Sequence, residues 1–177
     1  MATVPPFTPG DALQQTDLQF LLTPPQSFTY QATPQAALAN NVSTAVTWDT
    51  GAGAGISYDT DPTSWAAGSP TRVTLNTSGK WLFLVRMLWV ANATSMRQID
   101  LRKNSGGSGT GGTRIGIDIH QASASGSTTN GIAVEFPGLV AGDYVEVFAL
   151  QVSGGALAFL SSNFPGAVGI TATWQGV

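Results

Sequence analysis

The chain has 177 residues, a net charge of −3 and no cysteine; 42% of it is hydrophobic and only 10% is charged. That length fits one domain with a real core plus a short arm. The charged fraction is far below the roughly 25% usual in soluble domains, which suits a rigid, assembled or externally exposed β protein better than a cytosolic enzyme.

The acidic balance, with Lys80 and Lys103 the only lysines, argues against nucleic-acid binding, which needs clustered basic residues. The lack of cysteine removes disulfides, thiolate zinc sites and Cys nucleophiles, and it favours folding in a reducing cytoplasm. The start, Met1-Ala-Thr-Val-Pro-Pro6, has neither the basic nor the apolar region of a signal peptide. No run approaches the ~18 apolar residues of a membrane span, so no membrane insertion is expected.

Residues 1–27 read as an arm. Pro5, Pro6 and Pro9 open it, and Pro24 and Pro25 close it. Residues 11–22 form the one stretch with a helical reading, capped by Asp11 or Thr16 and stopped by Pro24. A helix this short is marginal alone. Its apolar residues Leu13, Leu18, Phe20, Leu21 and Leu22, with Phe7 ahead of them, therefore need a surface. That surface is either the chain's own domain or a larger assembly into which the arm plugs.

From residue 28 to 177 short strands alternate with turns. The predicted strands are 28–33, 42–49, 55–58, 71–76, 80–92, 97–103, 113–121, 131–136, 144–153 and 166–174. Ile99 and Leu101 oppose Gln98, Asp100 and Arg102; Ile115, Ile117 and Ile119 oppose Arg114, Asp118 and His120. Gly/Ser/Asn-rich clusters at 51–55, 104–112 and 123–130 separate the strands. Ten such strands predict an all-β sandwich or jelly roll. Residues 105–112 have a linker composition but fall within one strand pattern, so they read as a long surface loop.

Residues 81–91 stand apart. In a strand, Trp81, Phe83, Val85, Met87 and Trp89 line one face; Leu82, Leu84, Leu88 and Val90 line the other, with Arg86 the one charge among them. A half-wet antiparallel strand alternates apolar with polar; this one is apolar on both faces. Another copy of the protein is the simplest cover for the second face, which makes Leu82, Leu84, Arg86, Leu88 and Val90 the predicted subunit contact. Arg86 either reaches an exposed edge or pairs across the contact with a carboxylate such as Glu135, Glu146 or Asp100.

Catalytic and metal chemistry find little support. Asp118 and His120, the single histidine, share a strand face, but no Gly-x-Ser-x-Gly nucleophile turn accompanies them. Asp59 and Asp61 lie before Pro62 without calcium-loop spacing. Asp143 reads as a turn residue. No catalytic residue, metal site or cofactor is expected. Tyr58, Trp65 and the glycine-rich loops are the candidate ligand-facing elements, suited to a glycan; Trp65 equally reads as a cover for the sandwich end.

The order of the motifs resembles the C1q/TNF-like jelly roll across residues 28–177. Thr47-Trp-Asp49 sits at the family's early aromatic strand. Thr77-Ser-Gly-Lys-Trp-Leu-Phe-Leu84 is similar to its Gly-x-Tyr-x-Phe strand. Gln98-Ile-Asp-Leu-Arg-Lys-Asn104 resembles its Lys-Asn-Gly strand, with Ser105 in place of the glycine. Leu139-Val-Ala-Gly-Asp-Tyr-Val-Glu-Val147 is close to its Leu-x-x-Gly-Asp-x-Val strand, and Ser161-Ser-Asn-Phe-Pro-Gly166 resembles the approach to its last strand. The resemblance implies a compact homotrimer with strands near the axis buried on both sides. The arm, Pro6-Phe-Thr-Pro-Gly-Asp-Ala-Leu-Gln-Gln-Thr-Asp-Leu-Gln-Phe-Leu-Leu22, resembles the N-terminal segment of tailed-phage virion proteins, which phages of actinobacteria place before C1q-like domains in minor tail or fibre proteins. Together these imply a surface-exposed virion protein, made in the host bacterial cytoplasm, anchored to other virion proteins by its arm, and able to adhere to a host-surface glycan. A capsid decoration protein is the runner-up and a hydrolytic head a further alternative. Collagen-like repeats, typical of animal C1q proteins, are missing from the sequence.

Overall fold

The computed structural model describes residues 24–31, 35–48, 56–59, 65–66, 68–160 and 168–176. All ten predicted strands form: β1 (Gln26–Tyr30), β2 (Thr44–Ala45), β3 (Ile56–Asp59), β4 (Arg72–Thr74), β5 (Gly79–Trp89), β6 (Met96–Lys103), β7 (Thr113–Gln121), β8 (Thr128–Leu139), β9 (Tyr144–Gln151) and β10 (Gly169–Gly176). The helix expected at 11–22 lies outside the described residues.

The strands build two antiparallel sheets. Sheet 1 runs β3-β1-β10-β5-β8; sheet 2 runs β2-β9-β6-β7, with β4 also paired to β9. Most neighbours in a sheet are distant in sequence, the mark of a jelly roll. The core lies between the sheets. Trp81, Phe83, Val85, Met87 and Trp89 of β5 meet Ile99 and Leu101 of β6 and Val145, Val147 and Ala149 of β9. The tryptophan N–H groups are satisfied: Trp81 Nε1 donates to the Thr77 carbonyl at 3.0 Å, and Trp89 Nε1 to Asn130 Oδ1 at 2.8 Å.

One face assignment changes. Ile115 does not share a side with Ile117 and Ile119. The β6–β7 register shifts at Leu101/Arg102, so an extra residue falls on β7 and Ile115 turns into the core. Ile117 and Ile119, paired with Asp100 and Gln98, remain 44% and 51% exposed.

The loop 104–112 is a structured cover, not a linker. Its Gly107 N–H donates to Glu146 at 3.2 Å and its Gly111 carbonyl accepts from Arg102 Nη1 at 2.8 Å. Glycine is required at 109 because a Cβ there would collide with Ser43 Oγ. Under this cover Glu146 and Phe148, which point away from the core, are buried.

Candidate self-association face

The outward side of sheet 1 carries the β5 residues expected to form the subunit contact. Beneath the buried side of β5, Leu82 and Leu88 are half-buried, whereas Leu84, Arg86 and Val90 are exposed, Leu84 at 46%. Register extends this strip sideways. Leu84 pairs with Thr171 and Ala133, and Thr171 with Phe28. Leu82 pairs with Thr173 and Glu135. Same-face neighbours of this kind are the contact units of a sheet. The result is a band with Leu82, Leu84, Leu88 and Val90 of β5 along its middle, flanked by Phe28, by the threonines of β10 and by Ala133, in which Leu84 and Val90 are exposed.

Arg86 stands within this band, between Gly169 of β10 and Gly131 of β8. Gly131 leaves space on the β8 side of its side chain, whereas Gly169 on the β10 side is buried. A Cβ added at Gly131 would meet only the Val85 carbonyl oxygen, at 3.7 Å. Arg86 makes no hydrogen bond or ion pair with any described residue.

Two of the carboxylates predicted as its partners are excluded. Asp100 and Glu146 belong to sheet 2, are buried, and are fully engaged. Asp100 Oδ2 holds Arg114 at 2.8 Å and Arg102 at 3.7 Å, and its Oδ1 accepts from Gln98 at 3.2 Å. Glu146 accepts from Thr71 Oγ1 at 2.6 Å, from Arg72 Nε at 3.5 Å, from the Gly107 N–H and from the Ser105 hydroxyl. Burial raises the Glu146 carboxyl, and the bonds from Ser105, Thr71 and Gly107 with the Arg72 charge outweigh it, leaving the group below the usual carboxylate range. The third candidate, Glu135, lies on the same face as Arg86 and keeps Lys80 Nζ at 3.3 Å.

The Asp118–His120 pair forms, with Nε2 to Oδ1 at 3.2 Å. Its surroundings are those of a brace. The other oxygen of Asp118 accepts the Gly131 N–H and Asn130 Nδ2, both at 2.9 Å, and so ties β7 of sheet 2 to β8 of sheet 1. Among the described residues no hydroxyl hydrogen-bonds the imidazole. Asp143 is a buried turn carboxylate that holds Lys103 Nζ at 2.7 Å, Asn104 Nδ2 at 2.7 Å and the Val140 N–H at 2.9 Å.

Trp65 is half-buried against the core and donates to the Pro70 carbonyl at 3.4 Å. Tyr58 pairs with Phe28 at the edge of sheet 1. Asp59 ends β3; Asp61 and the anchor residues Phe7, Leu13, Leu18, Phe20, Leu21 and Leu22 lie outside the described residues. Among the described residues no three His, Asp or Glu side chains come together to hold a metal ion.

Sequence reasoning missed Arg97, which is fully buried. Its guanidinium lies 5.9 Å from the Trp89 ring centroid and donates to the carbonyls of Asn92, Thr94 and Met96 at 3.0, 2.9 and 2.9 Å. Parity with Ile99 and Leu101 was the signal: the three residues share the inward side of β6.

No protein-family model matches the chain, and no curated protein matches it. Solved structures do. Murine APRIL at pH 5.0 superposes with a TM-score of 0.57 at 14% identity, covering 85% of this chain and 98% of that one. The globular domain of zebrafish complement 1qA gives 0.56 at 12% identity, covering 85% and 96%. The Eiger TNF of S. frugiperda gives 0.54 at 13% identity, covering 85% and 92%. The chain therefore has a C1q/TNF-like jelly-roll fold. At these identities the likeness concerns the fold alone.

Proposed function

We propose that this protein is a self-associating structural component: a homotrimeric, surface-exposed minor tail or fibre protein of a phage virion, anchored through residues 1–23 and projecting its jelly roll outward. The observation that carries the reading is the outward band of sheet 1, with Leu84 nearly half exposed beside Arg86, which pairs with no described residue. Exposed apolar patches of this kind mark interaction sites. The band belongs to a rigid sheet whose reverse side is the core, so it is presented in one fixed shape. A C1q/TNF-like fold supports three as the copy number, and the likeness of the arm to phage virion segments supports the location. The role is mechanical and adhesive, with no chemical step.

The test is the solution mass of the full chain and of a form lacking residues 1–23. The cut is placed there because Gln26 and Ser27 already pair with Thr173 and Ala172 in the sheet. A trimer in both forms supports assembly through the jelly roll, with the arm free as an anchor. A folded monomer after the cut overturns assembly through sheet 1. Loss of particle incorporation by a truncated trimer supports the anchor, and retained incorporation counts against it.

A further inference from the structure

We infer that the partner of Arg86 is Glu135 of a second copy, so that the open band of sheet 1 is self-complementary in charge and this pair sets the register of the copies. The inference rests on the self-association proposed above and names its specificity-determining contact.

The argument is by elimination among the five carboxylates whose side chains the structure describes, Asp100, Asp118, Glu135, Asp143 and Glu146. Asp100, Asp143 and Glu146 are buried, and each is already held by several donors. Asp118 has both oxygens engaged, one by His120 and the other by Gly131 and Asn130, and its side chain is only 19% exposed. Among these five, Glu135 alone combines exposure with an oxygen to spare. Its side chain is 53% exposed, and Oε2 meets Lys80 Nζ at 3.3 Å, while no described residue engages Oε1. That ion pair is a surface one, which binds weakly and leaves the carboxylate available.

Within one copy the two are not paired. Glu135 pairs with Leu82 and Arg86 with Gly131, so four residues separate their positions along the strands, roughly 13 Å at about 3.3 Å per residue. Between copies the geometry changes. In a cyclic assembly each copy offers Arg86 to one neighbour and Glu135 to the other, and every copy is satisfied in turn. Glu135 then bridges Lys80 of its own copy and Arg86 of the next. The band would otherwise bury an unpaired guanidinium among Leu84, Leu88 and Ala133, which is strongly unfavourable.

The experiment uses the full chain and reads the dissociation constant by sedimentation and light scattering. The variants are Arg86→Glu, Glu135→Arg and the double exchange, each checked for unchanged near-ultraviolet dichroism. Both residues are exposed in the single copy, so the fold should survive. Each single variant is expected to weaken assembly at least about tenfold, and the double exchange to recover most of the loss. A double exchange no tighter than the weaker single variant overturns the pairing. Monomeric wild-type protein overturns the underlying self-association, and the two failures are thereby told apart.

Discussion

Asp118 and Asn130 meet across the gap between the two sheets, carboxylate Oδ2 accepting Asn130 Nδ2 at 2.9 Å. Asn130 is fully buried, and its other end accepts the Trp89 indole N–H at 2.8 Å. One amide therefore joins a core tryptophan of β5 to the edge strand of the opposite sheet. Its removal leaves a buried indole donor without a partner and releases the edge. Asn130→Ala is expected to destabilise the fold by about 1–3 kcal/mol, measured by urea unfolding with tryptophan fluorescence. An unchanged midpoint would show that the brace contributes nothing.

Acid should loosen the cover over sheet 2. Glu146 and Asp143 both titrate below the usual carboxylate range in the folded protein. In Asp143, burial raises the carboxyl, and the bonds from Lys103, Val140 and Asn104 with the Lys103 charge outweigh that. A depressed folded value means that the folded state holds fewer protons than the unfolded chain. The stabilisation is complete above the unfolded value, about 4.3 for Glu, and declines as pH falls below it. Unfolding free energy measured from pH 7 to pH 3 should be flat and then fall. Glu146→Gln should lower the plateau by about 1–3 kcal/mol and make the acid decline shallower, Asp143 supplying what remains. An acid decline unaltered by that substitution would remove Glu146 from the account.

The ten strands and the two-faced β5 were legible because alternation and turn residues are local signals. Arg97 was legible in principle: it shares parity with Ile99 and Leu101, and a period of two places it inward. The partner assignment for Arg86 failed for Asp100 and Glu146 because sequence cannot say which sheet a strand joins. The burial of Glu146 on an outward face depends on the loop 104–112 folding back, a long-range event written only as a run of small polar residues and glycines. Ile115 was misplaced because a one-residue bulge reverses a face without changing composition.

Arg97 is a buried cation held by three backbone carbonyls, with no described carboxylate bonded to it. Burial lowers its pKa from the ordinary arginine value. Only a planar fork of donors reaches three carbonyls at once; an ammonium on a straight stem does not. Arg97→Lys should therefore destabilise by about 2 kcal/mol, seen as a lower urea midpoint with an unchanged slope. Equal stability would mean that the three carbonyls find other donors.

Gly116 marks where β7 crosses closest to β8. A Cβ there would stand 2.7 Å from Ile132 Cγ2, inside contact distance. Gly116→Ala should cost about 1–3 kcal/mol through overpacking. Because the clash is with one methyl group, Ile132→Ala should relieve it, so the double variant should lose less than the sum of the single losses. Additive losses would place the strain elsewhere.

Phe83 and Leu84 are chain neighbours on opposite sides of one strand, Phe83 fully buried and Leu84 46% exposed. Their substitution to serine should separate folding from assembly. Phe83→Ser removes a core ring and should cost about 3–5 kcal/mol or abolish folding. Leu84→Ser removes apolar area that the single copy leaves exposed, so the single copy should keep its core and its near-ultraviolet dichroism. The expected readout is a shift in solution mass from assembly to monomer at concentrations where the wild type stays associated. A Leu84→Ser protein that remains fully assembled would move the subunit contact away from sheet 1. One that unfolds like Phe83→Ser would show that the outward face supports the fold of the single chain itself.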